Sequence, residues 1–287
     1  MKKILITGAD SYVGTQVEKW LLKYTDDYYV KTIDVKDETW NEYDFSMYDA
    51  VLHVAGIAHV SSKTKMKDFY YNINTILAIE TAKKAKADGV KQFIFMSSII
   101  IYGECAANKG VIKFNTKPEP NSFYGKSKLK AEKGIKQLET DVFKVAIVRA
   151  PMVYGKYSRG NYQKLSKLAQ KLPIFPDFHN ERSMVHIDNL CELIKILIDN
   201  EERGIFFPQN KDYVCTSEMV RTIALIYGKN IIMTKGFNPI IKLLHGVGIV
   251  KKVFGNMVYD QSMSIYKKKE YQVRDFKRSI ELTEKSD

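Results

Sequence analysis

Short apolar segments alternate with amphipathic segments through the first two-thirds of the chain, and this alternation constrains the fold most. The apolar segments, such as residues 4–7 and 93–97, are continuous runs, as is typical of strands that are buried on both faces. The segments between them, such as 14–24 and 72–87, have helical spacing or are rich in alanine. Strand, helix and strand in repetition predict an α/β fold with a parallel sheet covered by helices on both sides.

After Pro151 the alternation becomes irregular, and a second, smaller lobe is predicted there. A helix is expected at residues 161–171 and a strand at 185–187, after which Asp188 would cap a further helix running to Ile198. Because open α/β sheets bind ligands at the carboxyl ends of their strands, this lobe is expected to close over that edge. The predicted division assigns residues 1–150 and 183–203 to the sheet domain and residues 151–182 and 204–287 to the lobe.

The chain is basic, with a formal net charge of +12 over 287 residues. Residues 229–287 hold twelve Lys and Arg against six Asp and Glu, so a fifth of the chain carries half of the excess. The excess favours an anionic partner, such as a nucleotide diphosphate, a nucleic acid or an acidic membrane. A solvated lysine-rich surface explains the same composition. Because no recognised nucleic-acid module accompanies the charge, nucleic acid is not the expected partner.

Cysteine and histidine usage predicts neither a disulfide framework nor a metal site. The pair His53 and His59 has no third ligand nearby in the sequence, so ordinary packing is expected. No apolar run approaches the ~18 residues of a membrane span, and Ile4-Leu5-Ile6 is too short for the apolar part of a secretory signal. These features predict a cytoplasmic protein. The cysteines lie far apart and form no C-x-x-C pair; they are Cys105, Cys191 and Cys215.

A glycine-containing loop, Gly8-Ala9-Asp10-Ser11-Tyr12-Val13-Gly14, follows the first strand and opens the first helix. Glycines at such a turn let a pyrophosphate approach the N-terminus of the helix. Asp34 ends the second strand, twenty residues after Gly14. A carboxylate there accepts hydrogen bonds from the adenosine ribose and repels a 2′-phosphate. The spacing predicts NAD binding in preference to NADP, although Lys36 weakens the exclusion of NADP.

Tyr124 and Lys128 are four residues apart in a predicted helix at 122–138, and Ser98 follows the apolar strand at 93–97. Side chains at i and i+4 lie on one helix face. A lysine cation there stabilises a tyrosinate and lowers the tyrosine pKa from its usual value of about 10. A serine at the strand end would hold the oxygen of a bound alcohol or ketone. The three residues predict a hydride-transfer site with Tyr124 as the acid/base.

Further segments, taken with the glycine loop and the Tyr–Lys pair, resemble the motifs of extended short-chain dehydrogenases/reductases. Within that superfamily the chain is similar to the NAD-dependent nucleotide-sugar epimerase/dehydratase family, which includes UDP-glucose (UDP-galactose) 4-epimerases and UDP-hexosulose 4-reductases. The resemblance covers residues 1 to about 200. The segments that carry it are His53-Val54-Ala55-Gly56, Tyr71-Asn72-Ile73-Asn74, Phe93-Ile94-Phe95-Met96-Ser97-Ser98, Ile101-Tyr102-Gly103 and Arg149-Ala150-Pro151-Met152-Val153-Tyr154-Gly155.

The resemblance implies a Rossmann-type doubly wound parallel sheet with a smaller C-terminal substrate lobe, an NAD cofactor, a UDP-sugar substrate, no metal and a homodimer. It implies that Ser98, Tyr124 and Lys128 are catalytic, with Lys128 also binding the nicotinamide ribose. The implied cofactor-binding residues are Gly8, Ser11, Tyr12, Val13, Gly14, Asp34, Asp44, Phe45, Val54, Ala55, Gly56, Asn74, Tyr124 and Lys128. The implied substrate-binding residues are Ser98 and Ile99 near the sugar, with Asn161 and Arg182 at the UDP diphosphate.

The resemblance predicts a UDP-hexose 4-epimerase that acts by transient hydride transfer at C4. Two alternatives stay open: an NAD(P)H-dependent reductase of UDP-4-keto-hexoses in surface-polysaccharide synthesis, and a non-catalytic NAD(P)-sensing protein. The strand continues from Ser98 into Ile99-Ile100 and lacks the Asp-Glu pair of the sugar dehydratases, which argues against dehydration. Ser11 replaces a glycine of the family's loop, and Met152 stands where many 4-epimerases have an asparagine.

Apolar residues recur with broadly helical spacing within residues 237–258, interspersed with lysines. The favoured interpretation is a buried seam or a subunit contact. A helix lying on a membrane surface is the alternative. The apolar positions are Ile240, Leu243, Leu244, Val247, Val250, Phe254 and Val258.

Overall fold

A computed structural model describes residues 1–58, 66–103, 110–244, 246–266 and 269–285, and the predictions for His59 and Cys105 lie outside these ranges. The strands in chain order are β1 (Lys2–Thr7), β2 (Tyr28–Ile33), β3 (Ala50–His53), β4 (Gln92–Ser98), β5 (Val111–Ile112), β6 (Lys144–Ala150), β7 (Met152–Tyr154), β8 (Ile174–Pro176), β9 (Met184–His186), β10 (Gly204–Phe206), β11 (Ile232–Thr234) and β12 (Val258–Tyr259). The helices in chain order are α1 (Tyr12–Leu21), α2 (Lys67–Tyr71), α3 (Ala78–Ala87), α4 (Phe123–Lys136), α5 (Asn161–Lys171), α6 (Ile187–Asp199), α7 (Thr216–Ile226), α8 (Asn238–Leu243), α9 (Gly248–Phe254) and α10 (Phe276–Glu284).

Six strands form one parallel sheet in the spatial order β2-β1-β3-β4-β6-β10. Thr7 of β1 pairs on one side with Ile33 of β2 and on the other with His53 of β3. Because β2 and β3 lie on opposite sides of β1, the direction of winding reverses at β1. The structure therefore confirms the predicted doubly wound parallel sheet and places its switch point between β1 and β3.

The continuous apolar strands are explained by helices on both faces of this sheet. Ile4 and Ile6 of β1 pack in a cluster with α1 and α6, whereas Leu5 packs in a second cluster with α3 and α4. All three side chains are fully buried. Since successive side chains of a strand point to opposite faces, a strand between two helical layers must be apolar at every position.

The smaller lobe has a core of its own, which includes Tyr162 of α5 and residues of α7. One predicted boundary needs correction, because Gly204–Phe206 pairs with β6 in the large sheet and not in the lobe. The cap of α6 also differs from the prediction. The Asp188 amide donates to Nδ1 of His186 at 3.3 Å, so His186 caps the helix and Asp188 lies in its first turn. The remaining domain division stays a prediction.

The predicted helix at 72–87 is longer and less regular in the structure. It begins with α2, passes through a π-helical turn at Asn72–Leu77 and continues as α3. Thr75 of this turn donates its hydroxyl to the Ser127 carbonyl of α4 at 2.8 Å. π-helical turns are rare and occur frequently at functional sites. This turn therefore marks the α2–α4 side of the sheet as a place to look for a site.

The apolar seam predicted within residues 237–258 divides into two parts. The second part is confirmed as core, since Phe254 and Val258 are buried and Val250 packs against the lobe's core. The first part is not core, because its side chains are exposed on the single chain, and the subunit contact and the membrane-surface helix stay predictions for it; these residues are Ile240, Leu243, Leu244 and Val247. In the described ranges, no helix combines the length and apolar character needed to cross a bilayer.

Candidate active site

The carboxyl ends of β1, β3 and β4 meet at one edge of the sheet, next to the switch point. Gly8 follows β1, and Ser98 ends β4. The amides of Val54 and Ala55, which follow β3, donate to the Thr7 carbonyl at 3.0 and 2.9 Å. These three segments therefore form one continuous surface at the edge where open α/β sheets bind ligands.

The loop after β1 presents backbone instead of side chains at this edge. Gly8 has a φ of +118°, which glycine adopts without strain. A β-carbon on Gly8 would lie 2.6 Å from the Ala55 nitrogen, and one on Gly14 would lie 2.6 Å from the Ser11 hydroxyl oxygen. A cradle this close to the N-terminus of α1 fits the pyrophosphate of a dinucleotide, which backbone N–H groups bind at short range. The residues present thus fit an NAD cofactor.

Ser11, which replaces a glycine of the family's loop, caps α1. Its hydroxyl oxygen accepts the Gly14 amide at 3.1 Å. The serine therefore takes up one of the N–H groups that a helix N-terminus otherwise offers to an anion. A hydroxyl that accepts in this way still has its hydrogen to donate. The substitution is thus compatible with anion binding at this loop.

Asp34 lies directly after β2, as predicted, but its carboxylate is already engaged. Oδ2 pairs with Lys36 Nζ at 2.9 Å, and Oδ1 accepts the Val35 and Lys36 amides at 2.8 and 3.1 Å. The hydrogen bond from Lys36 is the main reason that the pKa of Asp34 is lowered. A ribose hydroxyl that approached this carboxylate would compete with Lys36 for Oδ2.

Replacing Lys36 with alanine is expected to raise the preference for NAD over NADP. The change frees Oδ2 of Asp34 and removes a cation that would attract a 2′-phosphate. Because exposed ion pairs contribute about 0.2–1 kcal/mol, the ratio of the two dissociation constants should change by roughly two- to fivefold. Fluorescence titration with both dinucleotides measures this ratio. Lys83→Ala, which removes a similar exposed pair with Glu80 on α3, is the control, and an unchanged ratio in Lys36→Ala would contradict the role of Lys36.

Ser98, Tyr124 and Lys128 converge beside the end of β4. Tyr124 lies in the first turn of α4, which Ser122 caps. The Ser98 side chain lies close enough to the Tyr124 phenol to lower its pKa. Lys128 lies one turn farther along α4, is only 5% exposed, and donates from Nζ to the Met96 carbonyl at 2.9 Å. The structure therefore brings the three predicted catalytic residues together.

Burial dominates the electrostatics of Tyr124 and Lys128. It raises the pKa of Tyr124, and the nearby Ser98 side chain offsets this only in part. Burial also lowers the pKa of Lys128 to about 8, against the opposing effect of Glu132. The predicted lowering of the Tyr124 pKa by Lys128 is not seen. The lysine ammonium instead bonds to a carbonyl and lies 4.6 Å from the centre of the Phe95 ring.

The buried ammonium of Lys128 makes stability depend on pH. Its folded pKa of about 8 lies below the pKa of about 10.4 in an unfolded chain. Between these values the unfolded state binds more protons, so the free energy of unfolding rises with pH. Relative to Lys128→Met, the wild type should gain up to about 1.4 kcal/mol per pH unit in this window. Chemical denaturation at several pH values measures the difference.

The neighbouring lysine on α4 provides the control for this experiment. Lys126 is exposed, so Lys126→Met should give a curve parallel to that of the wild type. If the Lys128→Met curve were also parallel to the wild type between pH 8 and 10, Lys128 would not carry a buried charge.

Asn74, in the π-helical turn, fixes the segment after β3 against α4. Its amide nitrogen donates to the Ile57 carbonyl and the Ser127 hydroxyl, both at 3.1 Å, and its oxygen accepts the Ile57 amide at 2.9 Å. A β-carbon on Gly56 would lie 3.0 Å from the Asn74 oxygen and 3.2 Å from Lys128 Nζ. The structure thus brings Gly56, Asn74 and Lys128 together, which the predicted path of the cofactor requires.

A buried ion pair behind the three residues was missed by the sequence predictions. Arg149 donates from Nε to Oε1 of Glu132 at 3.1 Å, from Nη2 to Oε2 at 2.7 Å, and from Nη1 to the Tyr102 hydroxyl at 2.7 Å. Ser97 also donates to Glu132. Burial alone would lower the pKa of Arg149, but the contacts with Glu132 outweigh it and raise the pKa. No local sequence pattern indicates this pair, because Arg149 and Glu132 lie on different elements, β6 and α4.

Other predicted cofactor residues have varied surroundings. The Phe45 ring is fully buried in the core, so that only its main chain is available to an adenine, whereas Asp44 is exposed. Tyr12 and Val13 form the first turn of α1. The Tyr12 hydroxyl is buried and has no hydrogen-bond partner among the described residues. Ile99, a predicted substrate contact, is buried beside the end of β4.

The two predicted diphosphate residues lie in the second lobe. Asn161 is exposed at the start of α5. Arg182 donates from Nη1 to the Lys252 and Gly255 carbonyls at 3.0 and 3.1 Å, and burial lowers its pKa. Within the part of the chain that the structure describes, Arg182 pairs with no carboxylate, and neither residue bonds to the three catalytic candidates. Their grip on a diphosphate stays a prediction.

The chain matches the model of the NAD dependent epimerase/dehydratase family over residues 4–214. It is 33% identical over 252 residues to a UDP-glucose 4-epimerase of Vibrio cholerae, covering 79% of this chain and 76% of that protein. It is 26% identical over 221 residues to an N-acetyl-alpha-D-glucosaminyl-diphospho-ditrans,octacis-undecaprenol 4-epimerase of Escherichia coli O157:H7, covering 70% of this chain and 64% of that protein.

A solved structure of a UDP-glucuronic acid 4-epimerase from Bacillus cereus, in complex with NAD, superposes with a TM-score of 0.71 at 18% identity. The superposition covers 98% of this chain and 97% of that chain. At this level of identity the likeness supports the fold alone.

Proposed function

The chain belongs to the NAD-dependent epimerase/dehydratase family, and we propose from this membership that it is an NAD-dependent UDP-hexose 4-epimerase. The similarity to the UDP-glucose 4-epimerase of Vibrio cholerae supports this choice of reaction. The observation that carries the proposal is the convergence of Ser98, Tyr124 and the buried Lys128 beside the end of β4. This group lies at the sheet edge where the backbone cradle for a dinucleotide opens.

The proposed reaction begins with removal of the hydroxyl proton at C4 of the sugar. The tyrosinate form of Tyr124 accepts this proton as the general base, while Ser98 donates a hydrogen bond to the C4 oxygen. Because burial raises the pKa of Tyr124, this step requires that the cationic nicotinamide of bound NAD favour the tyrosinate. Bound NAD would accept the hydride from C4 and later return it, so that no net oxidation results. Tyr124 returns the proton to the oxygen after the 4-keto sugar has turned its other face to the site.

Lys128 has the hydrogen-bonding capacity for its proposed contact with the nicotinamide ribose. With a pKa of about 8, it is mostly protonated at neutral pH. A lysine ammonium has three N–H donors, and the Met96 carbonyl takes one of them. Two donors are therefore available for ribose hydroxyls. The backbone of Gly8 and Ala55, with Asn74, would line the rest of the cofactor path.

The residues proposed to bind the substrate diphosphate lie in the second lobe. Arginine binds phosphate with two parallel hydrogen bonds, and Arg182 uses only Nη1 for its two carbonyl contacts. Its remaining donors suit a diphosphate. Asn161, which is exposed at the start of α5, would add an amide donor from the same lobe.

A panel of sugar nucleotides tests the reaction. The purified chain is incubated with UDP-glucose, UDP-galactose and their N-acetylamino counterparts, while NADH absorbance and product stereochemistry are followed. We expect epimer formation without a net change in NADH. Stoichiometric loss of NADH with a UDP-4-keto-hexose would instead select the reductase, because the same three residues serve both reactions.

One further substrate completes the panel. The Escherichia coli relative is named for a lipid-linked sugar diphosphate, which shares the diphosphate that Arg182 is proposed to bind. If that compound were turned over and no UDP-sugar were, the substrate would carry a lipid in place of uridine on its diphosphate. The proposed C4 chemistry would then stand. Failure of all these substrates would contradict the proposal.

We propose that the protein forms a homodimer and acts in the cytoplasm. Cys191 and Cys215 are free thiols in the structure, which suits a reducing compartment. Light scattering coupled to size-exclusion chromatography measures the subunit number, and a monomer at micromolar concentration would contradict the dimer.

A further inference from the structure

An exposed apolar stripe runs along α8 and the turn that follows it. Leu243 has 84% of its surface exposed, Ile240 55% and Val247 46%. The Leu244 amide donates to the Ile240 carbonyl at 2.9 Å, and the Val247 amide donates to the Leu244 carbonyl at 2.8 Å. The turn therefore holds these side chains in a fixed relation. The stripe consists of Phe237, Ile240, Leu243, Leu244 and Val247.

The opposite side of α8 anchors the stripe to the second lobe. Ile241 is only 6% exposed and belongs to the lobe's core. The Asn238 side chain donates to the Asp177 carbonyl at 3.0 Å. Ile240 and Leu243 are three residues apart on one face of α8, and Leu244 and Val247 continue the stripe into the turn that precedes α9. Because Ile241 already faces the core, the stripe faces outward.

The sequence around the stripe is rich in cations and lacks acids. Between Glu218 and Asp260 there are six Lys or Arg and no Asp or Glu. Lys235, Lys242 and Lys252 are exposed. At the surface of an anionic bilayer, apolar side chains enter the acyl boundary while neighbouring lysines meet the headgroups. Single exposed apolar residues need no explanation, but a contiguous patch marks an interaction surface.

Charge favours a bilayer over a second copy of the chain as the occupant of this surface. A twofold contact brings the same patch of both subunits together. Asp177 lies beside the start of α8, where its main chain is hydrogen-bonded to Thr234 and Asn238. However, residues 219–259 themselves contain no acid, so that Lys235 and Lys242 would mostly face like charges. An anionic lipid surface supplies the opposite charge along the whole stripe.

We propose that the stripe docks the protein on the surface of an anionic lipid bilayer. α8 and α9 have six and seven residues, too few to span a bilayer, so the chain lies on the surface. The far end of α9 holds Arg182 through the Lys252 and Gly255 carbonyls. In this docked position, Arg182 lies about the length of α9, roughly 10 Å, from the turn that contacts the membrane.

Cosedimentation of the full chain with vesicles tests the proposal. The chain is expected to bind vesicles that contain phosphatidylglycerol and phosphatidylcholine in equal parts. It should bind pure phosphatidylcholine vesicles at least tenfold more weakly, because about two lysines lose their attraction to anionic headgroups. Ile240→Ser/Leu243→Ser should lower the partition coefficient by about tenfold or more, because apolar area no longer enters the bilayer. Lys235→Gln/Lys242→Gln should lower it by about thirtyfold, at about 1 kcal/mol for each lysine.

Matched variants elsewhere on the surface control for general loss of apolar area or charge. Val142 and Ile265 are 81% and 69% exposed, and Val142→Ser/Ile265→Ser should bind vesicles like the wild type. The charge control is Lys117→Gln/Lys211→Gln, at two exposed positions outside the stripe. Equal losses in the stripe variants and their controls would overturn the proposal.

Two other outcomes would also overturn it. The first is failure of the wild type to sediment with anionic vesicles. The second is self-association of the wild type, seen by velocity sedimentation and abolished in Ile240→Ser/Leu243→Ser, without vesicle binding; the stripe would then join two copies. Because vesicle binding is measured without a sugar substrate, its outcome is independent of the proposed epimerase activity.

Discussion

Tyr124→Phe is expected to lower the turnover of UDP-hexose by about 10²- to 10⁴-fold, the usual contribution of a general acid or base. The change removes the phenol hydroxyl beside Ser98 and leaves the ring in its place in the first turn of α4. NAD binding should be largely retained, because the backbone cradle at Gly8 and Gly14 is untouched. Epimer formation is measured by product analysis, and NAD binding by fluorescence titration.

A tyrosine remote from the proposed site gives the control for this change. The Tyr266 hydroxyl donates to Glu202 at 2.7 Å in the second half of the chain, so Tyr266→Phe removes a hydrogen-bonded phenol without touching the sheet edge. Its turnover should stay within about threefold of the wild type. Full activity in Tyr124→Phe would refute the assignment of Tyr124 as the acid/base.

Arg149→Met is expected to lower the free energy of unfolding by about 3–5 kcal/mol, because it leaves the Glu132 carboxylate buried without its cation. In the structure Arg149 holds both carboxylate oxygens and the Tyr102 hydroxyl. Glu132 also lies one turn from Lys128, so an unpaired carboxylate there would raise the lysine pKa. Chemical denaturation near pH 7 measures the loss.

A double-mutant cycle separates the ion pair from the loss of packing. Glu132→Met/Arg149→Met removes both charges and keeps apolar volume, so its loss of stability should be at least about 2 kcal/mol smaller than the sum of the two single variants. If the single losses simply added, the two side chains would not be coupled and the pair would not be a stabilising unit.

The sheet and the catalytic candidates could be predicted because their signals are local or repeat along the chain. Continuous apolar runs such as Ile4-Leu5-Ile6 are required wherever a strand lies between two helical layers, and the structure has that arrangement. Tyr124 and Lys128 share a helix, so their spacing alone places both on one face. The helix at 161–171 was predicted with the bounds that α5 has.

Features that depend on which side of an element faces the core could not be predicted. The spacing of Ile240, Leu243 and Val247 indicates a single face, but the face that Ile241 occupies is the buried one. Periodicity shows which residues share a face, but whether that face is buried or exposed depends on the tertiary structure. The predicted effect of Lys128 on the tyrosine pKa failed for a similar reason, since the Met96 carbonyl that receives the ammonium comes from a different element.

Pairings between distant or competing side chains were also beyond the sequence. Arg149 and Glu132 meet because β4 and β6 are neighbours beneath α4, an arrangement that no local pattern contains. The effect of Lys36 on the selectivity of Asp34 stays a prediction, and the direct ion pair between them, which the sequence did not indicate, depends on the turn that follows β2.

The π-helical turn at Asn72–Leu77 limits which insertions and deletions the chain can tolerate. A π-helical turn is in effect an α-helix with one inserted residue. Deleting any one residue of this turn would rotate α2 by about 100° relative to α3. Asn74 would then lose the alignment with Ile57 and Ser127 that its three hydrogen bonds require. This segment therefore tolerates no change in its number of residues. An outward side chain such as Ile76, which is exposed, can vary in identity.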